Sequence, residues 1–404
     1  MATAATPRRS TAPWLEERWL REKLEALSAI DRPSASDGER RAAEWLVEGL
    51  GEHGARALIE IEEGHGTYWW PLGLATGAGA VAGVAALRGH RGIATALAAA
   101  AAAAAADDLP PQRKRLRRLL PRREISHVVA EIGPADADRT VVLLAHHDAP
   151  RSGLLFNPET PKRIDRLLPG LFDRVDTSPP LMFPVVGGPA AVAAGALAGR
   201  RWLTLADTIV PAGAAAMFAE IGSRDTVPGA NDNGTAVIAL LAIARALAEH
   251  PTENVRVMLV STSEEALCEG MQAFADRHFG ELPLDKTFFL CLEILGSTHL
   301  TVLRGEGMLR MREYPRESLE LLDGLAEELG LWLFPNLRLR NATDGVFPLA
   351  AGYQCAALCS CTDLKQAANY HWPTDVPDNV DYGTFADAIR LAEATVRRLD
   401  ERWI

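Results

Sequence analysis

Short apolar runs rich in β-formers, several ending in polar or charged residues and interspersed with helical-period segments, restrict this chain more than any other feature. The runs cover 125–132, 140–145, 255–261, 287–294 and 354–358, and helical spacing of apolar residues marks 236–248, 318–329 and 385–399. Strands buried on both faces read as near-continuous apolar runs, and parallel neighbours need long crossovers that are usually helices. The expected fold is therefore α/β, a mostly parallel mixed sheet with helices on both faces. Two amphipathic helices within 14–53, the second capped by Ser36 or Asp37, and a short strand at 57–61 precede it. At roughly 150 residues per domain, 404 residues leave room for one large domain plus insertions.

Two regions break this pattern. Residues 71–87 and 92–106 carry no charge, separated only by Arg88, His90 and Arg91, so 68–108 reads as a hydrophobic helical hairpin. Each arm is near the lower limit for crossing about 30 Å of hydrocarbon. Tyr68, Trp69 and Trp70 stand where an aromatic belt would, and Gly73/Gly77 and Gly79/Gly83 repeat a small-xxx-small spacing. A pair of Ala-rich helices buried in protein, or at a homodimer contact, is the other reading. A second hairpin is expected at 181–219 inside the segment 151–224, turned by Arg200 and Arg201 and weakened by Pro184, Pro189, Asp207 and Pro211.

Charge and cysteine content exclude some classes. A formal net charge of −11 gives nucleic acid no global attraction. Five cysteines without a CxxC pair encode neither a disulfide framework nor a thiolate zinc site, and fit a reducing, cytoplasmic setting. Residues 1–13 hold no apolar core of a cleavable secretory signal.

Candidate chemistry sits where the apolar runs end. His146-His147-Asp148 follows 140–145, and a residue two positions on points the same way, so Asp148 can orient His146 through its other ring nitrogen. Gly229 to Gly234 (GANDNG) holds Asp232 on a tight turn before an apolar helix, a setting for a bridging carboxylate or for an ordinary N-cap. Glu264-Glu265 follows 255–261; adjacent carboxylates stay ionised in a dry site only beside a cation, and otherwise form a solvated acidic helix start. Glu293 lies in the apolar CLEILG stretch, where a bare charge is rarely tolerated, and His371 lies in the Pro-bounded YHWPTD loop. Together these stations supply a nitrogen and oxygen donor set suited to zinc.

In this order the stations HHD, GANDNG, SEE, CLEILG, TDGVFP and YHWPTD resemble the M28 family of zinc metallopeptidases, aminopeptidase type. The resemblance covers most of the chain outside the hairpins. It implies two Zn2+ per chain held by His146, Asp232, Glu265, Glu293 and His371, with Asp232 bridging, Asp148 orienting His146 and Glu264 as general base. It implies a peptide substrate cleaved at its amino end, and one catalytic domain over 1–404 with both hairpins as loop insertions. Three positions depart from the family pattern: Glu293 where Asp is usual, Leu267-Cys268 after the paired glutamates where Gly is common, and Thr235-Ala236 in place of Ser-Gly. Two other readings stay open, a glutaminyl-cyclase-like acyltransferase on the same fold and an inactive membrane-anchored scaffold.

The basic tract Arg113, Lys114, Arg115, Arg117, Arg118, Arg122 and Arg123 follows the first hairpin at its base, whereas the turn holds only Arg88 and Arg91. By the Lys/Arg bias, both hairpins are expected to enter the bilayer from the cytoplasmic face, a multi-pass arrangement with a cytoplasmic catalytic domain. A peripheral or wholly cytoplasmic protein is the alternative, with the tract on anionic headgroups.

Overall fold

A computed structural model describes residues 12–404; the expectation of no secretory signal falls on 1–13 and so lies almost wholly outside them. Helices α1 (Glu17–Ser28) and α2 (Asp37–Glu52) lead into β1 (Arg56–Gly64), the hairpin α3 (Trp69–Leu87) and α4 (Arg91–Asp108), then β2 (Arg123–Ile132) and β3 (Arg139–His146). After α5 (Glu159–Leu167) come the hairpin α6 (Phe183–Ala198) and α7 (Arg201–Gly222), α8 (Thr235–Glu249), β4 (Val255–Thr262), α9 (Glu269–His278) and β5 (Thr287–Glu293). The chain ends with β6 (His299–Val302), β7 (Gly305–Glu306), β8 (Arg312–Glu313), α10 (Arg316–Glu328), β9 (Arg338–Leu339), α11 (Val346–Ala351), β10 (Gln354–Cys361) and α12 (Tyr382–Glu401).

The main sheet has seven strands in the order β1-β2-β4-β3-β5-β10-β6. Its four central strands, β4, β3, β5 and β10, are parallel, and antiparallel β1-β2 and β6 flank them. Alternating side chains of each central strand feed two cores, as a period of two requires. Val141, Leu143, Leu259 and Leu290 pack with α1, α2, α8, α10 and α12 on one face. Val142, Leu144, Val260 and Phe289 pack on the other with α9, α11 and the base of the hairpins, through Leu72 and Val185 in the first turns of α3 and α6 and Phe218 and Ile221 in the last turns of α7. Ser36 caps α2, its side chain accepting the Glu39 N–H.

The two hairpins do not stand apart. α3 packs against α4, α6 and α7, and α6 against α4 and α7, forming a four-helix bundle rooted on the sheet. Of the two small-xxx-small repeats, Gly79/Gly83 makes the contact: a Cβ on Gly79 would lie 2.9 Å from Pro189 Cγ, and one on Gly83 would lie 2.0 Å from Thr208 Oγ1. Gly77 faces open space. At the far end Arg91 joins the hairpin turns, donating to the carbonyls of Ala196 at 3.0 Å and Leu197 at 2.8 Å at the end of α6. Two of these helices, α3 with 19 residues and α7 with 22, are long and apolar enough to cross a membrane.

The basic tract divides in a way its sequence does not reveal. Arg117 is fully buried, bidentate on Asp108 at 2.9 Å and close to Glu269, and Lys114 is buried as well. These two cations fasten the base of the first hairpin to α9, which leaves Arg113, Arg115, Arg118, Arg122 and Arg123 at the surface.

Candidate metal centre

The carboxyl ends of the parallel strands meet at one place, and the predicted residues meet there with them. His146 is the last residue of β3, Glu264 and Glu265 follow β4, Glu293 ends β5, and His371 lies in the loop after β10. A turn of non-helical backbone before α8 brings Asp232 into the middle. All six are buried or nearly so, in the position at which open α/β sheets place their sites.

His146 Nε2 lies 3.4 Å from Glu293 Oε1, 3.6 Å from Asp232 Oδ1 and 3.6 Å from Glu264 Oε2. His371 Nε2 lies 3.4 Å from Asp232 Oδ2 and 3.5 Å from Glu265 Oε2. Asp232 thus presents one oxygen to each histidine and stands between a His146 lobe and a His371 lobe. His146, Glu264 and Glu293 form one group with ligand atoms within 4.8 Å of one another, and His146, Asp232 and Glu265 form another. Asp232 Oδ2 and Glu264 Oε2 are buried without a hydrogen-bond partner. Among the described residues, none of these four carboxylates pairs with Lys or Arg. Four buried carboxylates facing two imidazoles require a cation to remain ionised together, so the donor set fits a metal centre.

The electrostatics show the same need. Burial, and then the Glu293 charge, pushes Glu264 well above the usual carboxylate range, and burial with Asp232 does so for Glu265. Burial alone would lower His146, yet the facing Glu264 and Glu293 charges raise it well above an ordinary imidazole. His371 has less compensation, and burial lowers it to about 4.

A second ring of side chains fixes these groups. Asp148 Oδ1 sits 3.1 Å from His146 Nδ1, and the same carboxylate accepts the N–H groups of Glu264 and Glu265, both at 2.9 Å. Burial opposes its charge, but His146, Ser34 and the Glu264 N–H together hold it below the usual carboxylate range. Asp148 therefore orients one candidate ligand and aims the paired glutamates.

Asp375 does the corresponding work for the turn, accepting the Asn231 N–H at 2.8 Å and the Asp232 N–H at 3.0 Å. Asn233 donates to Glu293 Oε2 at 3.0 Å and accepts the Ile294 N–H at 2.9 Å, tying the turn to the end of β5. Arg32, fully buried, donates to the carbonyls of His147 (2.8 Å), Pro228 (2.7 Å) and Gly229 (2.7 Å), joining two stations. Glu39 meets Asp148 through Ser263 and is raised to about 8, first by burial and then by the Asp148 charge.

Sequence reasoning missed these four roles. Asp375 and Asn233 lie inside stations already singled out, whereas Arg32 and Glu39 have no local signal. His371 also differs from His146, since no carboxylate orients it; its ring packs against Phe156 and Tyr370, at centroid distances of 4.4 and 3.9 Å. Leu267 and Cys268, where glycine is common in the resembled family, both adopt positive φ, 61° and 55°. The backbone there keeps a left-handed bend that glycine would adopt without strain, and both residues line the cavity over the site.

Comparison with known proteins agrees with this geometry. No curated protein matches the chain by sequence. Solved structures with the same fold include Tannerella forsythia glutaminyl cyclase, 14% identical with a TM-score of 0.56, covering 95% of this chain and 99% of that one. A Zn-dependent exopeptidase from Parabacteroides distasonis is 13% identical with a TM-score of 0.54, covering 96% and 99%. A leucine aminopeptidase precursor from Bacteroides thetaiotaomicron is 12% identical with a TM-score of 0.56, covering 95% and 97%. The model of peptidase family M28 matches residues 215–396, the stretch that holds Asp232, Glu264, Glu265, Glu293 and His371. Over that stretch the chain is similar to peptidase family M28.

Proposed function

We propose that this protein is a zinc-dependent hydrolase of peptide bonds, acting as an aminopeptidase. The observation that carries this reading is the sharing of Asp232 between the His146 and His371 lobes. His146, Asp232 and Glu293 would hold one ion, and Asp232, Glu265 and His371 a second. When bound, such a pair supplies Lewis acidity to a carbonyl and lowers the pKa of a water. Glu264 would take a proton from the attacking water at Oε2 and pass it to the leaving amine nitrogen. Its burial raises its proton affinity, which favours holding that proton between the two steps. The intact His146/Asp148 pair favours this over a cyclase with a single ion, and the complete donor set favours it over an inactive scaffold. Metal analysis of zinc-supplied, folded protein is expected to give two ions per chain; one or none would overturn the two-ion form.

We also propose that the four-helix bundle lies in a membrane, with the catalytic domain on the cytoplasmic side. At 1.5 Å per residue, 16 to 22 residues make helices of roughly 24 to 33 Å, close to the thickness of a hydrocarbon core. Large apolar side chains face outward along it, among them Val81 (63% exposed), Ile93 (70%) and Trp202 (70%), a surface far more apolar than water-facing helices carry. Of the five surface arginines at the base, Arg113, Arg115 and Arg122 pair with Asp276, Asp107 and Glu63, which leaves Arg118 and Arg123 for anionic headgroups. Alkaline carbonate washing is expected to leave the protein in the membrane pellet. Release would contradict the placement and assign the outward faces to a homodimer contact.

A further inference from the structure

The hairpins lie beside the metal centre, and one cavity joins the two. It has a volume of about 780 Å³ and is lined at one end by His146, Asp232, Glu264, Glu265, Glu293 and His371. From there it climbs one face of α7, past Ile221, Phe218, Met217, Gly213, Val210 and Ile209. These positions recur every three to four residues, which keeps them on a single stripe. From 221 to 209 the stripe rises about 18 Å at 1.5 Å per residue, more than half the length of α7. Its upper end is open to the outside of the bundle, since Ile209 is 67% exposed. The opposite wall includes Leu181 and Val185, so the slot is apolar along its length. Beside its lower part lies α5, which exposes Ile164 and Leu167, with Leu168 just after it, next to Lys162, Arg163 and Arg166. A short basic amphipathic helix of that kind suits the headgroup boundary.

We infer that the slot selects substrates carrying a long alkyl chain on the leaving amine, aminoacyl alkylamides drawn laterally from the bilayer into the site. This rests on the hydrolase reading above and on the bundle lying in lipid. The aminoacyl carbonyl sits at the metal centre, and the chain lies along α7 toward Ile209. Water's oxygen forms the new bond to the carbonyl carbon, the C–N bond breaks, and the departing alkylamine takes its proton from Glu264. The family-matched stretch supplies the α7 wall only from residue 215 onward, so the upper slot lies outside it.

Gly213 provides the test, because a Cβ placed there meets no heavy atom within 4 Å. Gly213→Phe should fold and fill the slot; Met217→Trp is the second variant. With full-length protein in lipid nanodiscs, the ratio of leucyl-dodecylamide to leucyl-butylamide turnover should fall at least tenfold in either folded variant. An unchanged ratio in both would overturn the inference, and so would cleavage of a leucyl-initiated apolar helical peptide with no cleavage of the dodecylamide. Photolabelling separates this from the catalytic reading. A leucyl-dodecylamide bearing a terminal diazirine should label 205–217 in Glu264→Gln protein, whether or not the wild type hydrolyses it. Labelling without hydrolysis keeps the slot and refutes the hydrolase; absence of label from α7 refutes the slot even if short substrates are cleaved.

Discussion

Replacing Glu264 by Gln is expected to lower turnover by about 10²- to 10⁴-fold, the usual contribution of a general base, while both ions remain bound. The substitution keeps the shape of the side chain and removes its proton-accepting oxygen. Glu264 Oε2 is buried without a hydrogen-bond partner and lies 3.6 Å from His146 Nε2, so no competing contact claims the atom that must accept the proton. Steady-state kinetics with parallel metal analysis checks both halves of the expectation. Near-wild-type turnover would assign proton transfer elsewhere. The next group in line is Asp344, which forms a cluster with Glu264 and Cys268 and is raised to about 7, chiefly by burial.

Asp232→Ala should act differently, removing the oxygen that each lobe depends on. Both ions should lose affinity, and turnover should fall at least about 10³-fold, beyond the roughly 10- to 100-fold cost of losing an outer partner. Asp148→Asn is the contrast: it leaves every ligand in place, removes a carboxylate that orients His146 and aims Glu264 and Glu265, and should stay within that smaller range. Metal content by mass spectrometry after dialysis separates the two. Full occupancy in Asp232→Ala would refute its shared position.

The central sheet was legible because burial on both faces leaves a plain signature: 140–145 and 255–261 are mostly apolar, Thr140, Arg256 and Ser261 aside, and the strands found there differ by a residue at each end or less. The candidate ligands were legible for a related reason. A polar cluster at the end of an apolar strand stands out, and His146, Glu264-Glu265 and Glu293 all occur there. What lay beyond the sequence was long-range. The helices of both hairpins are apolar on all sides, so no periodicity says which face meets which helix, and their assembly into one bundle leaves no local trace. The two-residue strands β7, β8 and β9 are too short to carry a pattern. Arg117 reads as one more surface cation until Asp108 and Glu269 are seen beside it. Glu39 lies 109 positions before the Asp148 it supports, as 148 less 39 gives, and no spacing rule joins them.

The fold is shared with both exopeptidases and glutaminyl cyclases, so the most direct measurement lets one substrate report either chemistry. Full-length, zinc-supplied protein is incubated with glutaminyl-alanine amide and the products are identified by mass spectrometry. Hydrolysis by an activated water releases free glutamine and alanine amide, and that pair is the predicted result. Pyroglutamyl-alanine amide with ammonia, formed when the glutamine side chain is cyclised by its own amine, would contradict the peptidase account and assign the site to acyl transfer.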